Sequence, residues 1–381
     1  MRILWSSNAP WANTGYGNQT KVFTTRLKAA GHDVAISALY GLEGGVLSYH
    51  GMPVYPHGPR ADMHGMDVLA PHAIMHAADI AITLYDTWVI RPETFGSVKW
   101  IPWMPVDHEP LSTMIADIVS KAYKRIVYSR FGEKMLHDAG LDCYYIPHGV
   151  DTKIFHPMDK NAARASLGWP VDKFIFGVVA ANKDFPSRKA WPQILEAFAE
   201  IAKVRDDVFL YTHTNEFGGV NIREIAEGLG IASKIIMVPQ QHYGLYQLNE
   251  NYMANMYNAI DVLVNPATGE GFGIPIVEAQ ACGTPVVVGG WTAMPELCFS
   301  GYTIRKHDAD RYWIPINAYQ YMPRVSGIVK GMKWALHNAR NPDVKAKAAA
   351  GALEYDADLV MERYWTPVLA EIESRVKLWQ K

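Results

Sequence analysis

Cysteine is scarce. The 381 residues hold three, Cys143, Cys282 and Cys298, an odd number with no metal-ligand spacing between any two. That excludes a disulfide scaffold and favours a reducing compartment. After Met1–Trp5 the chain turns polar with no apolar signal segment, so a cytoplasmic location is expected. Long apolar runs are missing too, which excludes a membrane-spanning helix and leaves peripheral membrane contact open. There is no excess of either charge: 36 Lys and Arg against 38 Asp and Glu leave a net charge of −2. A strongly basic, nucleic-acid-binding surface is therefore not expected, although a local groove for DNA stays open. Repeats of solenoid period and low-complexity tracts are absent. With 49% hydrophobic and 19% charged residues the chain is not a disordered one, and its length favours two domains.

Short apolar runs alternate with amphipathic segments. Runs at Arg2–Ser6, Asp33–Leu39, Ile80–Leu84, Lys99–Trp103, Arg125–Tyr128 and Cys143–Ile146 read as strands. Phe23, Leu27 and Ala30 recur at helical spacing before Gly31. The rhythm restarts with strands at Phe174–Ala180, Val208–Thr212, Ile235–Val238, Asp261–Asn265 and Pro285–Val288. Between the first two of these, Trp191, Ile194, Leu195, Phe198, Ile201 and Ala202 share one helical face. Strands alternating with helices imply an α/β fold of parallel β-α-β units. The polar stretch between Val150 and Val171, with Pro157 and Pro170, marks the boundary. The expected domains are residues 1–155, joined by a C-terminal helix over 355–381, and residues 156–354. Leu369, Ile372, Val376 and Trp379 give that last helix one apolar face, and Pro367 suits its first turn. Two such Rossmann-like sheets facing each other would leave a cleft at the carboxyl ends of their strands.

Chemistry concentrates between Asp261 and Pro295. A strand leads into A-T-G-E-G-F-G-I-P-I-V-E. Gly271, Phe272, Gly273 and Ile274 form the turn, Pro275 starts a helix, and Glu278 follows about one turn in. Glycines admit a close ligand, and a helix N-terminus offers free N–H groups to phosphate. Glu278 can accept from ribose hydroxyls, and Glu270 from sugar hydroxyls. This pattern suits a nucleotide diphosphate, although composition alone equally allows a plain strand–turn–helix corner with surface glutamates. Arg188 and Lys189 end the stretch K-D-F-P-S-R-K, and both can engage phosphate. Gly15 and Gly17 lie in the loop Asn8–Gly17 after the first strand and would let amides approach donor or acceptor. Asp107 and His108 fall in the polar stretch Trp100–Leu111, where a His can hydrogen-bond a sugar or take a proton. The Tyr-rich stretch Tyr243–Tyr257 is a candidate base pocket. Two Asp-Ala-Asp triplets, Asp308–Asp310 and Asp356–Asp358, read as solvated or capping carboxylates, the first in a polar loop. No metal site is expected.

Glu270 and Glu278, with seven residues between them, resemble the E-x7-E signature of family 4 retaining glycosyltransferases, which have the two-domain GT-B fold. Ile146–Asp151 with Phe155 and Pro157 resembles the family linker I-P-N-G-V-D-x-x-x-F-x-P, with His148 in place of Asn. Ser129–Phe131 and Ala279–Val287 resemble two further family segments, as Thr14–Gly17 and Gly31–Val34 do more loosely. The resemblance implies a retaining transfer of a hexose-type sugar from a nucleotide diphosphate sugar, with no cofactor. It gives Arg188 and Lys189 the role of gripping the diphosphate and puts Asp107 or His108 beside the reacting sugar. Where the family has Gly-Arg after the first strand of the second domain, this chain has Ala181-Asn182-Lys183. The acceptor stays open among glycan, lipid, protein, small molecule and modified DNA base, and the oligomeric state is not encoded in these motifs. An epimerase of the same fold and a non-catalytic sugar-nucleotide binding protein are the alternatives.

Overall fold

The computed structural model describes residues 1–58, 62, 64–245 and 247–379, the side chains of Leu378 and Trp379 excepted. The expected contribution of Trp379 to an apolar face, and Tyr246 of the Tyr-rich stretch, therefore lie outside the described residues. The chain divides into two compact units. Unit 1 comprises Met1–Asp151, Pro315–Ala318 and Tyr355–Lys381, and unit 2 comprises Thr152–Ile314 and Tyr319–Glu354.

Unit 1 carries strands β1 (Arg2–Ser7), β2 (Asp33–Ala38), β3 (Leu47–Tyr49), β4 (Met52–Tyr55), β5 (Ile80–Thr83), β6 (Trp100–Met104), β7 (Ile126–Val127) and β8 (Tyr144–Tyr145). They form one sheet in the order β3-β4-β2-β1-β5-β6-β7-β8, parallel except for the β3–β4 pair. Strands β1, β2, β5 and β6 are buried nearly end to end, as parallel strands covered on both faces must be. From β1 the chain winds first towards β2 and β4, then back past β1 to β5. The core gathers Trp5, Phe23, Trp103 and Trp365, with Trp103 centroids 5.6, 5.4 and 5.1 Å from the other three. Trp365 precedes the helix Thr366–Trp379, whose Leu369, Ile372 and Val376 are buried. Ala30, expected on the buried face of the helix Gly15–Ala29, caps that helix and is exposed.

Unit 2 carries β9 (Phe174–Val179), β10 (Val208–His213), β11 (Ile235–Met237), β12 (Val262–Asn265), β13 (Val286–Gly289) and β14 (Gly301–Ile304). All are parallel in the order β11-β10-β9-β12-β13-β14. Winding reverses between β9 and β12. A two-stranded ribbon follows, β15 (Ala309–Ile314) with β16 (Ala318–Pro323). The expectation that Asp308–Asp310 lies in a polar loop is therefore corrected, because Ala309 and Asp310 open β15. Short alternating strands with charged outward residues resemble loops in composition. Among the described residues no helix is long and apolar enough to cross a membrane.

The interior of unit 2 is organised around a buried charge. Asp261 accepts from the Ile175 N–H at 2.8 Å, from Arg164 at 2.7 Å, from Arg340 at 2.9 Å and from Lys160. Burial works to raise the Asp261 pKa, and the surrounding Arg340, Lys160 and Arg164 overcome it, holding it at about 2. Asp261→Ala leaves the fully buried Arg164 uncompensated, and urea melts should show a loss of about 3–5 kcal/mol. Because the folded pKa is depressed, this contribution is complete above the ordinary carboxylate range and fades as pH falls towards 2. Asp261→Asn should flatten that acid limb.

Candidate functional site

The carboxyl ends of β9 and β12 flank the winding reversal of unit 2, the place where open α/β sheets leave a crevice. The loops leaving these two strands are tied together. The Thr268 N–H donates to the Arg188 carbonyl at 2.8 Å, and Arg188 Nη1 donates to the Gly269 carbonyl at 2.8 Å. Lys189 Nζ pairs with Glu270 Oε1, while Arg188 Nη1 stands 4.0 Å from Glu270 Oε2. Glu270 is also fixed through its backbone, its N–H donating to Thr292 Oγ1 at 3.0 Å. Two cations and one carboxylate, far apart in sequence, thus share one nearly buried spot.

The helix Ile274–Ala281 begins beside this cluster. Gly273 is its N-cap at φ 110°, a backbone conformation open to glycine. Ile274 opens the helix, so its N–H has no intrahelical acceptor, and Pro275 brings none. Gly271 and Phe272 are buried under the turn. Glu278 sits one turn in, on the buried side, where it accepts from the Tyr257 hydroxyl at 2.8 Å. Burial raises the Glu278 pKa to about 7, the Tyr257 hydrogen bond opposes that rise and the Glu250 charge adds to it. Tyr257, considered for a base pocket, is fully buried and serves as the partner of this carboxylate.

The other expected residues have the following surroundings. Lys183 is exposed. Its neighbour Asn182 is buried, donating to the carbonyls of Asn215 and Val220 at 3.1 and 2.8 Å and so holding the loop after β10. Gly15 and Gly17 are not in the loop after β1 but in the first turn of the helix Gly15–Ala29. The Gly17 N–H donates to Thr14 Oγ1 at 3.0 Å, so it is spent on the helix cap. A Cβ on Gly17 would lie 2.1 Å from the Ala12 carbonyl oxygen, so its glycine serves packing. His108 is buried with both ring nitrogens engaged, Nδ1 to Asp107 Oδ1 at 3.0 Å and Nε2 to the Ser112 N–H at 3.3 Å. Asp107 is the more exposed of the pair, 29% against 4% for the side chains. The Asp-Ala-Asp triplets are occupied: Asp308 pairs with Lys330, Asp310 with Arg324 and Asp358 with Arg26, and Asp356 caps a helix. Among the described residues no three His, Cys, Asp or Glu side chains gather as a metal site.

Residues 175–315 match the family model described as glycosyl transferases group 1. The fold, with its two parallel α/β sheets, is shared with several solved structures. Sucrose-phosphate synthase from Thermosynechococcus elongatus superposes with a TM-score of 0.76 at 16% identity, over 98% of this chain and 100% of that one. HepE of Anabaena, solved with UDP-glucose, gives 0.68 at 16% identity over 98% and 100%. In sequence, the D-inositol 3-phosphate glycosyltransferases of Mycobacterium tuberculosis and Mycobacterium bovis are 33% identical over 156 residues, 41% of this chain. The match spans 30% of the length of those relatives.

The raised Glu278 pKa has a thermodynamic consequence. Between the ordinary glutamate pKa and about 7, the unfolded chain is ionised there and the folded one is protonated, so stability falls as pH rises through that window. The span corresponds to about 3 kcal/mol. Thermal melts from pH 4.5 to 8 should show this slope in the wild type and lose it in Glu278→Gln.

Proposed function

We propose that the protein is a glycosyltransferase that moves a hexose-type sugar from a nucleotide diphosphate sugar to a hydroxyl acceptor, with retention at the anomeric carbon. The observation that carries this is the convergence of Arg188, Lys189 and Glu270 at the winding reversal of unit 2, beside the open N-terminus of the helix Ile274–Ala281. A pyrophosphate needs that combination of cationic side chains and outward N–H groups. The match of residues 175–315 to the glycosyl transferase group 1 model covers this same segment.

Each group then has a task. As the glycosidic bond breaks, negative charge grows on the departing diphosphate, and fixed donors around it lower the barrier. Arg188 and Lys189 supply those donors, with the Gly273–Ile274 amides. The Lys189–Glu270 pair holds the ammonium in place before the donor arrives, so little reorganisation is required on binding. Glu270 then accepts from sugar hydroxyls, and Glu278 from the ribose. With both carboxylates on the donor, neither serves as an enzymic nucleophile, and the acceptor attacks from the face that the diphosphate leaves. Because HepE was solved with UDP-glucose, that donor is the first to assay.

Release of nucleotide from a donor panel tests the reading. Lys189→Ala removes a charge-assisted contact of about 1.5–3 kcal/mol, so kcat/KM should fall about 10- to 150-fold. Glu270→Ala should lower kcat. Wild-type kinetics in both variants would sink the site assignment. Turnover is expected to withstand EDTA, and its abolition would replace the metal-free scheme. Donor conversion without any acceptor would instead identify an epimerase.

A further inference from the structure

Unit 1 has a winding reversal of its own, between β1 and β5, and a hydrogen bond joins the first turn of the helix that follows β1 to the segment leaving β5. The Tyr16 hydroxyl donates to Asp86 Oδ1 at 2.8 Å. Asp86 is exposed, three residues past the end of β5 and after the buried Leu84 and Tyr85. Its neighbour Thr87 is 2% exposed, yet Thr87 Oγ1 has no hydrogen-bond partner among the described residues. A buried hydroxyl with no partner is costly and marks a place where a ligand can complete the bonding. Burial, then the Asp86 charge, push the Tyr16 pKa well above its ordinary value, so Tyr16 stays a donor to that carboxylate.

We propose that Asp86, oriented by Tyr16 and accompanied by Thr87, binds hydroxyl groups of an uncharged polyol acceptor, a sugar or cyclitol. The proposal rests on the glycosyltransferase reading and names the acceptor class. A carboxylate is acceptor-only with about four lone-pair sites, so Asp86 can take the Tyr16 bond and still receive from substrate hydroxyls. The neighbouring loop after β6 adds the carboxylate of Asp107 and, two residues on, Glu109. Arg91, five residues on, pairs with Asp62. A phosphorylated acceptor would meet like charge here, whereas neutral hydroxyls meet a strong acceptor. Tyr16 is a positioning residue in this scheme, because it acts through Asp86, which holds the substrate hydroxyl.

The test measures UDP release from UDP-glucose with D-glucose or myo-inositol added, against glucose 6-phosphate or inositol 3-phosphate. The neutral polyols should accelerate release and the phosphates should not. Asp86→Asn should raise the KM for the polyol at least tenfold while the KM for UDP-glucose stays within twofold, and Tyr16→Phe should give a smaller rise of the same kind. Acceleration by the phosphates alone, or by neither class, overturns the proposal, as does an equal rise in both KM values. The donor reading is judged separately by whether UDP-glucose raises the melting temperature of the wild type. Should that shift be absent, calorimetry with myo-inositol decides the polyol site alone: binding lost in Asp86→Asn supports it, and equal binding or none in the wild type refutes it.

Discussion

The pairing of Lys189 with Glu270 is the constraint from which the chemistry of unit 2 follows. Each residue lies on a segment that follows a strand of the sheet. The two loops leave adjacent parallel strands that are remote in sequence, and they are joined by the Thr268 N–H to the Arg188 carbonyl and by the Arg188 side chain to the Gly269 carbonyl. An ion pair with side chains only 13% and 10% exposed is screened less than a surface pair. It keeps a cation and a carboxylate close together without collapse of the turn, because Thr292 and Gly273 fix that turn from the other side.

The same architecture is used twice to different ends. Both sheets wind outward in one direction, return past their first strand and continue on the other side. In unit 2 the reversal is furnished with Arg, Lys and a helix N-terminus, which suits an anion. In unit 1 it is furnished with Asp86, Tyr16 and the buried hydroxyl of Thr87. Sheet topology chooses the place in each, and side-chain charge chooses what can bind there.

Much of the fold was legible because parallel strands buried on both faces read as unbroken apolar runs. Thus β1, β2, β9, β10 and β12 fall within a residue or two of the runs seen in the sequence. The strands that were not legible are short or carry strand-unfriendly residues. In unit 1, β3 is only three residues long, with Leu47 and Ser48 exposed, and β4 contains Pro53. In unit 2, β14 opens on Gly301, and the β15–β16 ribbon mixes polar and aromatic residues with no long apolar run. Their pairing supplies what their local sequence lacks.

By itself the sequence determined the alternation of strands and helices, the glycine turn that opens the helix Ile274–Ala281, and the spacing of Glu270 from Glu278. All three depend on residues near one another along the chain, through periodicity, backbone freedom and helix capping. Only the tertiary structure decided which polar groups have protein partners, and which partners those are. The Gly17 amide serves the Thr14 cap, the His108 ring is closed at both nitrogens, Glu278 is buried against Tyr257, and Asp86 meets Tyr16 across 70 residues. Burial and hydrogen-bond partners are set by packing between distant segments, so no local pattern could announce them.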